Sequence, residues 1–345
     1  MEGQMEIMLL VSTRPQSTVW LANDLKFQRY VALKLLRVEC YTTTQQIFER
    51  EILEKTRDVS RESLHEGRKH RPCLPCLTFD VQGHHLYFHA AQYIDGNLPV
   101  KAVKEIVRQL LTGLDFLHRE CGVIHTDLKL TNILMELENP SDTVAKHLES
   151  VPPQTTRGQS GAIVPLEETL SPLVSEVASL RVRIIDFGVG TFLQWRENHL
   201  FEEIQPLALR APEVAIGAPW DTGVDIWTLG CLIVELLHNF VLFPGITPQK
   251  GTWTAEEDHL AKTIRVLGDF PPSLLKKGHL SKSHFDGQIS SACSTDPNGP
   301  VTCKRPSDMS KKEVDVFIDF LKGMLEIDPM KRKSAAELLQ HEWFS

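Results

Sequence analysis

The segment VIHTDLKLTNIL, at residues 123–134, constrains this chain more than any other because it sets reactive side chains between apolar runs. Asp127 carries a carboxylate, Lys129 an ammonium group and Asn132 an amide. A second acid, Asp186, follows in RVRIIDFG, which is predicted as a strand. Any fold of this chain therefore has to place two acids, a lysine and an amide beside buried sequence.

These four residue types are the ones that phosphoryl transfer requires. A carboxylate orients the attacking hydroxyl, and a lysine neutralises the charge that builds on the transferring group. An amide and a second carboxylate hold magnesium against the phosphates. Several side chains are needed because the charge of the phosphoryl group is spread over several oxygens.

Composition excludes other classes of function. The 345 residues suffice for one large domain or two lobes with cores. The net charge of -8 argues against a nucleic-acid partner, which needs a basic surface, and no apolar run is long enough to span a membrane. Seven cysteines without a signal peptide predict a reducing compartment, cytoplasmic and/or nuclear. Cys73 and Cys76 form one CxxC pair without further ligands at finger spacing, so zinc is not expected.

The hydrophobic pattern changes along the chain. Residues 1–38 are predicted to be β-rich, LTFDV and HLYFHA are predicted as short strands, and QQIFEREILEKT is predicted as a helix. After Pro99, apolar residues recur at spacings of three and four, which predicts a buried helix that ends near Gly122. Residues 139–179 lack periodicity and are predicted to be an irregular, partly disordered insert.

The chain resembles the eukaryotic protein kinases through an ordered set of motifs: VALK at 31–34, HTDLKLTN at 125–132, DFG at 186–188, APE at 211–213 and DIWTLG at 225–230. The resemblance covers about residues 12–345. It implies an α+β, bilobal protein-kinase fold, with a β-rich N-lobe at 1–92 and a mainly helical C-lobe at 93–345.

The resemblance also implies roles for individual residues and implies ATP and Mg2+ as cofactors. Asp127 would be the catalytic base and Lys129 would stabilise the transferring phosphoryl group, while Asn132 and Asp186 would bind metal. The ion-pair partner of Lys34 would be Glu51, the preferred candidate, or its rival Glu54. The nucleotide would contact Lys34, Glu51, Val19 and Ala32. The structural residues would be Asp225, Arg210, and Glu213 paired with Arg332.

Finer features resemble the serine/arginine-rich-protein kinases of fungal type, within the CMGC group. These features are HTD at 125–127, the insert before DFG, and TAEEDHLAKTIRVLG from 254. They imply a monomeric serine/threonine kinase whose protein substrate is basic and Arg-Ser-rich. Two interpretations of the acids Glu256, Glu257 and Asp258 stay open: docking of an arginine-rich substrate, or capping of their own helix.

Departures from the kinase pattern at the glycine-rich loop and at the hinge leave activity open, and a minor one is Leu130, where a proline is usual. The glycine-rich loop reads STRPQS at 12–17, where Pro15 removes a backbone N–H. The stretch HLYFHAAQYIDGNLPVKAV is expected to be too short for both a hinge and a following helix. Thr126 replaces the arginine that binds an activation-loop phosphate, so activity independent of that phosphorylation is expected. The alternatives are an active kinase, a shortened product of a kinase gene, or a pseudokinase that serves as a binding scaffold.

Overall fold

The N-terminal part is a sheet of four antiparallel strands in the order β1-β2-β3-β4. The strands are β1 (Met5–Arg14), β2 (Ser17–Asp24), β3 (Arg29–Leu36) and β4 (Cys76–Asp80). In this computed structural model, residues 5–14, 17–37, 48–60, 76–150, 180–193, 204–247, 253–285 and 305–345 are described.

Strand register decides which side chains of the sheet share a face. Val19 lies opposite Lys34, and Leu21 lies opposite Ala32. Directly opposed residues point to the same side of an antiparallel pair, and residues two apart along a strand do so as well. These four side chains therefore line one face of the sheet.

The segment predicted as a degraded glycine loop is partly strand. Ser12, Thr13 and Arg14 pair with Val19, Thr18 and Ser17 in the β1–β2 ladder. Pro15 and Gln16, together with the side chain of Arg14, lie outside the described residues.

The connection between the sheet and the helical part corrects the sequence interpretation. HLYFHA is not a strand, because Leu86–Ala90 form a short helix, α2, that His85 caps by accepting from Phe88 N. The strand that leads into the connection is β4, which carries LTFD. Because that strand ends at Asp80, the chain has room for a five-residue connection, 81–85, and for α2. The expectation that the stretch was too short for both was wrong.

The C-terminal part is mainly helical and contains the larger core. Helix α3 (Val100–Asp115) packs against α6 (Gly223–His238), whose Trp227 and Leu229 are fully buried. As predicted, the chain leaves the first helical run at Gly122, whose left-handed φ of 63° favours glycine. The other helices are α1 (Glu49–Ser60), α4 (Pro140–Ser150), α5 (Pro212–Ala215), α7 (Ala255–Leu267), α8 (Pro272–Leu275), α9 (Ser281–Phe285), α10 (Lys311–Met324) and α11 (Ala335–Leu339).

Two short antiparallel pairs bring the reactive segments together. Strand β5 (Val123–Ile124) pairs with β8 (Thr191–Phe192), and β6 (Ile133–Met135) pairs with β7 (Val182–Ile184). The segments 125–132 and 185–190 therefore lie side by side between these pairs. A β-rich N-terminal part followed by a helical C-terminal part confirms the predicted α+β class and bilobal arrangement.

The region predicted as an irregular insert begins with a regular helix. Residues 140–150 form α4, which was predicted as irregular chain, and residues 151–179 lie outside the described part. Val144 of α4 is fully buried, so tertiary contacts stabilise a segment whose sequence is only weakly amphipathic.

Candidate active site

Lys34 stands at the centre of a three-residue charge cluster. Its Nζ lies 2.6 Å from Glu49 Oε1 and 3.0 Å from Asp186 Oδ1. The Lys34 side chain is only 12% exposed and the Glu49 side chain 2%, so the lysine is held from two sides in a weakly solvated position. The cluster joins β3, the start of α1 and the segment that follows β7.

The acid that pairs with Lys34 was predicted incorrectly. Both candidates, Glu51 and Glu54, are exposed, and Glu54 accepts instead from Arg50 within α1. Glu49 opens α1 and faces the sheet, while Ile52, one helical turn later on the same side, is fully buried. The sequence held a clue, because Glu49 stands three residues before the apolar Ile52 and Glu51 does not share that face.

Burial shapes the acidity of Glu49. Desolvation raises the pKa of its carboxyl above the ordinary value, although the charge and hydrogen bond of Lys34 act in the opposite direction. Glu49 Oε2 is buried and has no hydrogen-bond partner among the described residues. Lys34 is therefore the main group that opposes the rise in the pKa of this buried glutamate.

The second cluster is built on the segment before β6. Asp127 Oδ2 accepts from Lys129 Nζ at 2.8 Å and from Asn132 Nδ2 at 3.1 Å. Asn132 Nδ2 also donates to the backbone oxygen of Asp127 at 2.9 Å. The three residues predicted from HTDLKLTN are thus brought together, and the carboxylate of Asp127 is held in one orientation.

Asn132 of the second cluster and Asp186 of the first carry side chains that fit a magnesium ion. The Asn132 amide nitrogen faces Asp127, so the amide oxygen is the atom that would coordinate a metal. Asn132 O accepts from Ile185 N at 2.9 Å, which ties it to the residue preceding Asp186. Asp186 adopts a left-handed φ of 69°, a conformation that non-glycine residues keep only where the surroundings impose it. An amide oxygen and a carboxylate suit Mg2+, which prefers oxygen ligands.

Asp225 braces the backbone that carries Asp127. Its carboxylate accepts from His125 N and Thr126 N, each at 2.9 Å, and lies 2.8 Å from His118 Nε2. Burial alone would raise the pKa of Asp225, but the hydrogen bond and charge of His118, with the N–H of His125, hold it below the ordinary value. The predicted structural position of Asp225 therefore corresponds to a direct contact with the catalytic segment.

Thr126 connects the catalytic segment to the stretch after DFG. It has a left-handed φ of 65°, and its hydroxyl donates to Val189 O at 2.8 Å. An arginine there would extend away from the backbone, whereas threonine makes a short contact of its own. This contact orders residues 126 and 189 relative to each other without a phosphate.

Gln205 is a site residue that sequence reasoning missed. Its Nε2 donates to Val224 O at 2.9 Å and to Thr228 Oγ1 at 2.7 Å, and its Oε1 accepts from Ala211 N at 3.0 Å. The side chain is buried, so these contacts fix the chain before APE onto helix α6. A glutamine between apolar residues gives no periodic signal, and only its left-handed φ of 65° in the structure marks it as special.

Glu213, which precedes α6, and Arg332, which follows it, are in direct contact. Glu213 forms a two-pronged ion pair with Arg332, with distances of 2.7 and 2.9 Å, and both side chains are fully buried. Arg210 lies beside Gln205, whose backbone oxygen accepts from Arg210 Nη2 at 3.3 Å. The predicted pairing of Glu213 with Arg332 matches this geometry.

The acids at the start of α7 have partners within the protein. Glu257 completes a capping box with Thr254, as the sequence predicted. Asp258 accepts from Ile246 N and from Lys262 Nζ, each at 2.7 Å. Glu256 is exposed, so it is the acid of the three with a solvated side chain. This arrangement favours capping over docking for Glu257 and Asp258.

The connection 81–85 joins the sheet to the helical part and presents polar backbone groups there. Gly83 N donates to Met135 O at 2.8 Å, and Met135 N donates to His84 O at 2.9 Å. None of the backbone–backbone hydrogen bonds among the described residues involves the N–H or C=O of Gln82. Unpaired backbone groups at a cleft suit a flat ligand with its own donors and acceptors, such as a purine.

The described residues also bear on metal-binding clusters and on membrane-spanning helices. The described residues contain no cluster of three or more histidine, cysteine or acidic side chains able to hold a metal. Cys76 is exposed, and Cys73 lies outside the described residues. In the part of the chain that the structure covers, no helix is long and apolar enough to cross a membrane.

Comparisons with known proteins agree with this geometry. Residues 16–344 match the family described as protein kinase domain. The serine/threonine-protein kinase SRPK of Physarum polycephalum is 29% identical over 363 residues, which cover 95% of this chain and 83% of that protein. Protein kinase dsk1 of Schizosaccharomyces pombe is 27% identical, covering 95% and 78%. Serine/threonine-protein kinase SKY1 of Saccharomyces cerevisiae is 35% identical over 170 residues, covering 48% and 22%.

Proposed function

Because the chain belongs to the protein kinase family and is a serine/threonine kinase similar to the SRPK-type kinases, we propose that it transfers phosphate from ATP, with Mg2+, to serine in basic, Arg-Ser-rich proteins. The observation that carries this proposal is the pair of intact clusters, Asp127–Lys129–Asn132 and Lys34–Glu49–Asp186. The cytoplasm or nucleus, and a monomeric state, are proposed with it.

Asp127 is assigned as the base. Its carboxylate is oriented by Asn132 and accepts from Lys129, so it can receive the proton of a serine hydroxyl as the oxygen attacks. The proton of the serine moves to Asp127, and the new P–O bond forms as the bond from phosphorus to the leaving oxygen breaks. Lys129 stands beside the reacting atoms and neutralises charge on the moving phosphoryl group.

Lys34 is assigned to the α- and β-phosphates of ATP. Glu49 and Asp186 hold its ammonium in place at 2.6 and 3.0 Å, which reduces the entropy lost when phosphate binds. Asn132 and Asp186 would hold Mg2+, which supplies charge neutralisation between the phosphates when bound. Val19 and Ala32 share a sheet face with Lys34 and are proposed to contact the purine.

The substrate class is supported by similarity rather than by a groove of solvated acids. Proteins named SRPK and dsk1 align with nearly the whole chain. Glu256 is proposed as the acid that meets substrate arginine, since Glu257 and Asp258 are engaged within the protein.

The test is phosphate transfer from Mg·ATP to an Arg-Ser repeat peptide. We expect transfer by the wild type and a loss of at least about a hundredfold in Asp127→Asn, since a positioned base contributes about 10²–10⁴-fold. Asp315→Asn, at an exposed position of α10, is the matched control and should retain activity. A folded wild type that transfers no phosphate would leave the pseudokinase scaffold as the function.

Phosphorylation of the segment after DFG is predicted to be unnecessary. Thr126 and Gln205 anchor the two ends of that segment through Val189 and α6 without a phosphate group. Treatment of the purified protein with a phosphatase should therefore leave its transfer rate within about twofold. Loss of activity that returns on rephosphorylation would contradict this prediction.

A further inference from the structure

Helix α4 packs on the sheet although it belongs to the insert that follows β6. Val144 of α4 is fully buried in a cluster with Leu21 of β2, Val81 of the connection and Leu137 after β6, each of which is 5% exposed or less. Tyr30 and Leu148 pack against the same cluster. The helix thus contacts the sheet, the connection and the C-terminal part at one point.

This cluster lies on the face of the sheet that carries the nucleotide-binding residues. Leu21 stands two residues after Val19, and Ala32 stands opposite Leu21, two residues before Lys34. Side chains on one face repeat about every 6.6–6.8 Å along a strand. The face therefore runs from Lys34 at one end, past Ala32, to the surface covered by α4.

Val81 links α4 to the backbone edge of the connection. Its side chain is 5% exposed within the α4 cluster, and its neighbour Gln82 presents the backbone N–H and C=O that make no backbone–backbone hydrogen bond among the described residues. One residue further, Gly83 N is fixed on Met135 O. Both chain neighbours of Gln82 are therefore fixed: Gly83 by its hydrogen bond to Met135 O, and Val81 by apolar packing in the α4 cluster.

We infer that α4 positions the purine-binding edge of the cleft, with Val144 and Val81 as positioning residues. This inference rests on the proposed function, since it assigns the Gln82 backbone to the base of ATP. The phosphate end is held separately, by the ion pairs of Lys34 with Glu49 and Asp186, and none of these three residues is a member of the apolar α4 cluster. Loosening α4 should therefore weaken binding of the base and spare binding of the phosphates.

The experiment compares two ligands in Val144→Ala. The first is adenosine, which has the base but no phosphate, and the second is Mg·pyrophosphate, which has phosphates but no base. Removing two buried methyl groups leaves a cavity beside Val81. We expect adenosine to bind about three- to tenfold more weakly and Mg·pyrophosphate to bind within about twofold of the wild type.

Two control variants separate this effect from general loss of stability. Val234→Ala deletes the same two methyl groups from the core of α6, where the residue is 5% exposed and remote from the cluster. Lys146→Ala changes an exposed side chain of α4 itself. Neither should change the ratio of the two affinities. An equal fall for both ligands in Val144→Ala, or an unchanged adenosine affinity, would overturn the inference.

A second readout does not depend on nucleotide binding. In Val144→Ala, the amide of Gly83, which donates to Met135 O, should exchange with solvent faster than in Val234→Ala of matched melting temperature. Val81→Ala should act in the same direction. If the wild type binds no adenosine but Gly83 exchanges faster, the proposed function fails and the positioning by α4 stands. If Gly83 exchange is unchanged, the positioning itself is wrong.

Discussion

At the scale of single residues, Glu49 shows how one position in a helix decides a role. Glu49 and Glu51 are both glutamates in the first turn of α1, yet only Glu49 points at the sheet. The difference between them is about 200° of helical rotation, at 3.6 residues per turn. Lys34 can be identified because it lies in a contiguous motif. Its partner, Glu49, depends on how α1 is rotated against β3.

Replacement of these two glutamates is predicted to have opposite outcomes. Glu49→Gln removes the charge that holds Lys34 and should lower kcat/KM for ATP about 10- to 100-fold, since hydrogen bonds to charged groups contribute about 1.5–3 kcal/mol. Glu51→Gln changes an exposed side chain and should stay near the wild type. Steady-state kinetics with varied ATP measure both. A large loss in Glu51→Gln would restore the original assignment.

The buried carboxyl of Glu49 also predicts a pH dependence. Burial raises its pKa, so as pH falls Glu49 takes up a proton at a higher pH than an exposed glutamate does, and the contact with Lys34 weakens. Affinity for Mg·ADP should therefore fall as the pH is lowered in the wild type, which is the acid limb of its pH profile. The same titration in Glu49→Gln corrects for protonation of the ligand, and an identical acid limb in the variant would exclude Glu49 as its cause.

At the scale of elements, the stretch 204–210 is positioned by contacts with α6 in addition to hydrogen bonds within the stretch. Gln205 reaches Val224 O and Thr228 of α6, and the N–H of Ala211 returns to its side chain. His259 of α7 lies 3.1 Å from Arg210 O on the other side. Under the proposed function, we expect the placement of this stretch before APE to affect peptide phosphorylation as well as stability.

Gln205→Leu is predicted to disturb peptide phosphorylation and leave nucleotide binding intact. The variant leaves the Ala211 N–H without its buried partner, which costs about 1–3 kcal/mol, and Thr228 keeps only its hydrogen bond to Leu209 O at 3.3 Å. We expect kcat/KM for the peptide to fall at least about tenfold, while the Kd for Mg·ADP stays within about twofold. Gln340→Leu, at an exposed glutamine, is the control. A parallel loss of nucleotide affinity would show that the variant had disturbed the whole cleft.

At the scale of the whole molecule, the buried pair Glu213–Arg332 joins α5 to the end of the chain. The two residues are far apart in sequence, and Arg332 also donates to Gly223 O at 2.9 Å at the start of α6. A fully buried ion pair does not stabilise a fold beyond what apolar residues of similar size would give, but a single buried charge is costly. The pair therefore specifies this arrangement more than it stabilises it.

A stability cycle tests this account. Arg332→Met should lower the free energy of unfolding by about 3–5 kcal/mol, because it leaves Glu213 charged and unpaired. The double variant Glu213→Leu with Arg332→Met should lose less than the single one. Urea unfolding measures both, with Arg57→Met, at an exposed residue of α1, as control. A double variant less stable than Arg332→Met would show that the pair is favourable in itself.

Contiguous residues carried most of what the sequence by itself determined about this protein. Lys34, Asp127, Asn132 and Asp186 lie in short motifs. The stop at Gly122 and the capping boxes, Thr254 with Glu257 and Ser334 with Glu337, depend on neighbours in the chain. For these features, the spacing of residues along the chain is enough to predict the local structure. The family, the α+β class and the geometry of the Asp127 cluster followed from such signals.

Contacts between distant segments decided what only the tertiary structure could show. Glu49 is selected by the rotation of α1, Gln205 by the approach of α6, and α4 by the apolar surface of Leu21 and Val81. HLYFHA reads as a strand by composition, but it is a helix because β4 already supplies the strand and α2 packs near Asn132 and β6. Burial and packing override local preference at these places, since the free energy gained comes from residues far away in the sequence.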